Sequence, residues 1–173
     1  MLRRGISRAF ILASIFVILL PIFPTAMALQ RIFGKSALSR QVPFAEAWNA
    51  AAKSDGKAAP RFCCLIYATQ NGWKLPILFE EMGMEYDWCL VDFEINQQKS
   101  PEFLKINPNG RIPALIDREK KVTVAESGAI LEYICDKTGS KLLPSKEENL
   151  QLHLNCKQWV SEDRSVVPTG VFL

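Results

Sequence analysis

Histidine is almost missing from this chain: among 173 residues there is one, His153. A zinc site would therefore lack its usual imidazole ligands. The five cysteines, Cys63, Cys64, Cys89, Cys135 and Cys156, do not replace them. Their number is odd, and none falls at metal-ligand spacing or in a Cys-x-x-Cys pair. The same pattern excludes a disulfide scaffold. Acid is missing from the start of the chain, where Arg3, Arg4, Arg8, Arg31, Lys35 and Arg40 all precede the first carboxylate, Glu46. Of 21 basic residues, 15 follow that point, against 18 acidic ones, so the formal charge of +3 conceals a slightly acidic body. No basic stripe runs through it, which sets nucleic acid aside as a partner.

What is present begins with an address. Arg3, Arg4 and Arg8 form a positive n-region, an uncharged apolar run covers 9–27, and Ala26-Met27-Ala28 offers small residues for cleavage after Ala28. Pro21 and Pro24 interrupt the run near its end. Residues 1–28 thus read as a secretory signal peptide. The run also approaches the roughly 20 apolar residues that span a bilayer, so an uncleaved membrane anchor over 9–28 is the rival reading. Residues 29–60 read as a linker. Their first part, 29–41, is basic, carries Ser36 and Ser39 and has no acid, like an organellar transit peptide. A signal followed by such a stretch would suit a plastid reached through the secretory pathway.

Aliphatic and aromatic residues are plentiful enough for a packed core, and strand and helix signals alternate from residue 62 onward. Residues 62–67 form a continuous apolar run, as in a buried strand. A helix follows from Asn71-Gly72 to about Met82, closed by Gly83, with Pro76 expected in or near the first turn. A second strand covers 86–92 and a short helix 101–106. Residues 112–116 and 122–124 read as a hairpin around the charged turn 117–121. Residues 127–138 make a helix with Ser127 as N-cap and Gly139 as C-cap. The order, βαβ and then αββα, predicts a mixed α/β sheet with helices on both faces. Another helix is expected from Lys146 to about Asp163. Cys63 and Cys64 are strand neighbours that point to opposite faces, and Cys89 and Cys135 fall in apolar patterns; all four read as structural.

Four motifs in order carry a family resemblance: Tyr67-Ala68-Thr69-Gln70-Asn71-Gly72, Lys99-Ser100-Pro101-Glu102-Phe103-Leu104, Asn107-Pro108-Asn109-Gly110-Arg111-Ile112-Pro113-Ala114-Leu115, and Glu126-Ser127-Gly128-Ala129-Ile130. Together they resemble glutathione S-transferases, and within them the nu-class and bacterial disulfide-bond oxidoreductase group. The resemblance covers about 80 residues and implies a thioredoxin-like domain over 61–144, followed by an all-helical domain of which 145–173 would be only the start. It further implies glutathione as co-substrate, no metal, a small electrophile or disulfide as second substrate, and a homodimer.

Carried over residue by residue, the resemblance makes Thr69 and Asn71 hydrogen-bond donors to the glutathione sulfur, favouring thiolate over thiol. Ile112, before a cis Pro113, would pair its backbone with the cysteinyl part of the tripeptide. Ser127 would take the γ-glutamyl carboxylate at a helix start, Glu126 the ligand's ammonium, and Gln98 would also touch the ligand. Tyr67 stands too early on its strand for an activating tyrosine. Two functions follow: a glutathione transferase or glutathione-dependent thiol–disulfide oxidoreductase, or a non-catalytic glutathione- or partner-binding module. With most of the helical domain missing, a truncated product is part of the second reading. Leu150, Leu154 and Trp159 would then lie exposed unless covered by a partner.

Overall fold

The computed structural model describes residues 36–48, 58–147 and 149–161, with side chains to 155 in the last helix. The proposed signal, 1–28, and the tail after 161 lie outside the described residues, as do the side chains of Cys156 and Trp159.

Five strands form one mixed sheet in the order β1-β3-β2-β4-β5: β1 Ser39–Gln41, β2 Phe62–Ile66, β3 Tyr86–Leu90, β4 Ala114–Asp117 and β5 Val122–Ala125. Strands β1 and β2 both run parallel to β3, while β4 is antiparallel to β2 and β5 to β4. Among the described residues four α-helices accompany them: α1 Gln70–Met82, α2 Pro101–Leu104, α3 Ser127–Thr138 and α4 Leu150–Ser161. This is the mixed α/β sheet expected from the pattern, in the thioredoxin-like arrangement that the resemblance implies.

Strand β2 is buried along its whole length, and its alternation builds two cores. Phe62, Cys64 and Ile66 face one side, where they pack with Leu75 and Phe79 of α1, Trp88 of β3, and Ile130 and Ile134 of α3. Cys63 and Leu65 face the other, with Cys89, Ile116, and Phe103 of α2. Helices α1 and α3 thus cover one face and α2 the other. Fully burying a side chain the size of Leu or Phe stabilises by about 1.5–3 kcal/mol, so these two layers supply most of the drive to fold.

The structure departs from the sequence reading in four places away from the β5–α3 junction. Part of the expected linker is an edge strand. Arg40 of β1 makes a bidentate pair with the buried carboxylate of Asp87, at 2.8 and 2.9 Å. Downstream, Val42 and Ala47 are buried in the second core, and Phe44 stacks on Phe103 at 6.2 Å. Second, Pro76 is the seventh residue of α1, which starts at Gln70 after the Thr69 cap, and stands inside the helix rather than in its first turn. Third, strand β4 starts at Ala114, since Pro113 has no N–H to give to a ladder. Fourth, α4 starts at Leu150 and not Lys146: Asn149 caps it, its Oδ1 accepting from the Leu152 N–H at 2.9 Å. Leu150 and Leu154 are exposed, at 55% and 50%.

Candidate functional site

The register fixes where chain ends meet. Leu65, near the end of β2, pairs with Ala114 at the start of β4, and Ala114 pairs with Ala125 at the end of β5. Three connections therefore converge at one end of the sheet: the β2–α1 turn, the loop entering β4, and the β5–α3 junction. Between them lies a cavity of about 1070 Å³ whose lining includes Thr69, Asn71, Gln98, Ile112, Pro113, Glu126 and Ser127. All seven residues nominated from the sequence are brought to it.

The β2–α1 turn is built by Thr69 and Gly72. Thr69 is extended, and its Oγ1 accepts from the Gly72 N–H at 3.1 Å. That bond uses a lone pair on the hydroxyl and leaves its proton to be donated elsewhere. Gly72 is required by space: a Cβ there would fall inside the van der Waals envelope of the Tyr67 carbonyl oxygen. Asn71 sits in the first turn of α1, beside N–H groups that a helix start leaves unsatisfied. Tyr67 lies outside the cavity lining; its ring stacks on Phe93 at 4.6 Å, and Phe93 is the residue that reaches the cavity.

The loop entering β4 is held by Asn107, which is buried. Its Nδ2 donates to the Arg111 carbonyl at 2.8 Å, and its Oδ1 accepts from the Asn109 N–H at 3.1 Å. Gly110 adopts φ +59, and a Cβ there would meet Lys99 and the Gln98 carbonyl below 3.0 Å. The Ile112–Pro113 peptide is cis. Among the described residues the Ile112 N–H makes no hydrogen bond. Gln98 brings a buried Oε1 that likewise has no partner there.

At the β5–α3 junction the expectation of Ser127 as N-cap is corrected. Glu126 is the N-cap, with φ 70 and ψ 118, and its side chain makes no capping bond. Such a backbone is costly for a residue with a Cβ. Ser127 becomes the first helical residue, mostly buried, and its Oγ accepts from Lys74 Nζ of α1 at 3.2 Å. The N–H groups of Ser127 and Gly128 have no partner among the described residues. Together with the helix dipole they favour a bound anion.

The sequence reading did not nominate Lys99, Arg111, Lys74 or Asn107. Lys99 and Arg111 also line the cavity, and Lys99 Nζ donates to the Asn109 carbonyl at 3.1 Å. Both stand inside the motifs that carry the resemblance, which was the signal available for them. The four cysteines with described side chains lie elsewhere. Burial pushes the thiols of Cys63 and Cys64 far up, and that of Cys89 up to about 12; burial also raises Cys135. Cys63 and Cys64 are wholly buried on opposite faces of β2. Among the described residues no three His, Cys, Asp or Glu side chains gather as metal ligands would.

Residues 66–136 match the family model "Glutathione S-transferase, N-terminal domain". Protein URE2 of Eremothecium gossypii is 39% identical over 95 residues, 52% of this chain and 26% of that protein. Glutathione S-transferase 1 of Schizosaccharomyces pombe is 47% identical over 68 residues, 39% of this chain and 30% of the relative. The chain therefore spans about a quarter of the length of the curated relatives it matches. Among solved structures, a glutathione transferase of Burkholderia graminis with two glutathione molecules bound per subunit is 38% identical, with a TM-score of 0.53 over 65% of this chain and 44% of that one. The segment that holds the cavity thus has a thioredoxin-like fold and matches the N-terminal domain of glutathione S-transferases.

Proposed function

We propose that this domain binds glutathione in the cavity at the end of the sheet and holds its sulfur as a thiolate. The observation that carries the reading is the convergence of an anion-binding helix start, an unpaired backbone N–H at Ile112 and a donor-bearing turn on one cavity. The γ-glutamyl carboxylate goes to Ser127 and the free N–H groups of α3, and the ligand's ammonium to Glu126. The cysteinyl backbone lies along Ile112, with Gln98 at its flank. The sulfur then reaches Thr69, whose hydroxyl oxygen is already engaged by Gly72 and whose proton points to the ligand, and Asn71. Donors aimed at sulfur favour the charged form and lower its pKa.

The working sulfur in this reading is glutathione's own. As a transferase, the thiolate forms a carbon–sulfur bond while the leaving group departs with the electron pair. In the reductase form, it attacks a disulfide and releases the other sulfur as thiolate. Burial of the Cys63, Cys64, Cys89 and Cys135 thiols argues against them as nucleophiles.

The test compares two variants. A protein with Cys63, Cys64, Cys89, Cys135 and Cys156 all replaced by alanine or serine is expected to keep turnover with glutathione and a model electrophile or small disulfide. Asn71→Ala is expected to lose about 1–3 kcal/mol of transition-state stabilisation through the lost donor to a charged group. A folded cysteine-free protein that binds glutathione but is inactive beside a fully active Asn71→Ala would overturn the mechanism. Glutathione binding without turnover in the unaltered chain would instead identify a binding module.

A further inference from the structure

Lys74 lies on α1, one turn beyond the Thr69 cap, yet its ammonium reaches across to α3. It donates to Ser127 Oγ at 3.2 Å and joins residues 53 positions apart in the chain. An ammonium has three N–H donors and no acceptor, whereas a hydroxyl has one proton and two lone pairs. The direction of this bond is therefore fixed: Lys74 donates and Ser127 accepts. With one lone pair so engaged, the Ser127 O–H is turned away from Lys74.

Resting on the reading that glutathione's γ-glutamyl carboxylate sits at the start of α3, we propose that Lys74 is a positioning residue for that carboxylate. It fixes Ser127 as a donor and sets a positive charge directly behind it. A hydroxyl that accepts from a cation is a stronger donor in turn, because hydrogen bonds in series polarise one another. The arrangement also ties the two halves of the site together. The same helix whose first turn presents Thr69 and Asn71 to the sulfur carries, at Lys74, the group that orients the carboxylate partner. A shift of α1 would move both ends of the ligand's binding surface at once. Lysine suits the place because a compact point charge on a long stem can cross between helices.

The experiment measures dissociation constants by calorimetry on the full chain, for wild type, Lys74→Met, Lys74→Arg and Ser127→Ala/Lys74→Met. Each is titrated with glutathione and with γ-aminobutyryl-cysteinyl-glycine, which lacks only the α-carboxylate. Lys74→Met is expected to weaken glutathione about tenfold, the low end of a charge-assisted bond, and to change the analogue less than about twofold by the same conversion. Lys74→Arg should recover most of the loss, and in the Ser127→Ala background Lys74→Met should cost much less than alone. Equal weakening of both ligands, or no weakening in a variant with wild-type melting behaviour, would overturn the proposal. Failure of wild type to bind glutathione would overturn the underlying site reading, and failure of wild type to prefer glutathione over the analogue would overturn the carboxylate assignment.

Discussion

Strand register separates the two ends of the sheet, and they treat polar groups in opposite ways. At the end where β2 begins, Asp87 and Asp117 are wholly buried and multiply paired. Asp87 receives Arg40 and also Arg118, the latter at 2.6 Å. Asp117 receives Arg61 at 2.6 Å, the Tyr133 hydroxyl at 2.8 Å, and the N–H groups of Glu119 and Lys120. Arg118 continues the network to the carbonyls of Ala47 and Pro60. At the other end, Gln98 Oε1 and the N–H groups of Ile112, Ser127 and Gly128 have no partner among the described residues, and Glu126 is held in a strained backbone. The first end pairs its two buried carboxylates several times over from within the chain, as a structural network does. The second leaves directed donors and acceptors facing a cavity, as a binding site does. The difference teaches that stability and ligand binding are assigned to separate ends, and changes at one should leave the other nearly intact.

The largest expected effect tests the paired end. A chain starting at residue 58 loses β1, the buried Val42 and Ala47, and one of the two arginines on Asp87. Burial of these apolar side chains alone is worth roughly 3 kcal/mol, and a partly stripped buried carboxylate adds to the loss. Chemical denaturation should show that loss relative to a chain starting at residue 29, which keeps the whole edge strand. Folded molecules of both lengths should bind glutathione equally. Equal stability would mean that the edge strand is not an integral part of the domain.

That strand was also the least legible element in the sequence. Strand β2, helix α1, strand β3 and helix α3 announce themselves by local means: apolar runs, Gly83 and Gly139 at helix ends, and period. A basic three-residue strand has no such signal. Its reason for being there is Asp87, 47 positions away. The seven site residues were legible only because motifs were recognised together; singly, Thr69 is a helix cap and Ile112-Pro113 an extended dipeptide. Ser127 shows the limit of local rules. Serine before a helix reads as an N-cap, but the β5–α3 junction drives Glu126 into the cap position at positive φ, a cost that only tertiary contacts can sustain.

The second effect belongs to the open end. Ser127→Ala should weaken glutathione by about 1.5–3 kcal/mol, the range for a charge-assisted hydrogen bond. Because Ser127 is not the cap, the fold should lose only about 1 kcal/mol, through the missing bond to Lys74. Calorimetric titration beside a urea melt separates the two numbers. A variant that melts much earlier yet binds glutathione as tightly as wild type would reverse the division of labour between the ends.

The smallest effect is a pH dependence confined to the paired end. Burial alone would raise the Asp117 carboxyl above its ordinary 3.8, but hydrogen bonds from Arg61, the Lys120 N–H and Tyr133 outweigh it and hold the group below that value. A depressed folded-state pKa stabilises the fold above the ordinary value, and that stability is lost as pH falls through the folded one. Tyr133 shifts the other way: burial first, and the Asp117 carboxylate next, raise it above its ordinary 10.0. Its contribution is fully present below that value and is lost as pH rises through the folded-state pKa. The Tyr133–Asp117 bond should therefore stabilise the domain across a plateau from about pH 5 to about pH 9, fading on both sides. Tyr133→Phe, which removes one donor and little volume, should cost about 1 kcal/mol on the plateau. The gap between wild type and Tyr133→Phe should narrow below pH 4 and again above pH 10 in denaturation series. Glutathione affinity at neutral pH should not change, since Tyr133 hydrogen-bonds at the far end of the sheet from the cavity. A gap independent of pH would mean that Tyr133 contributes by packing rather than through the buried carboxylate.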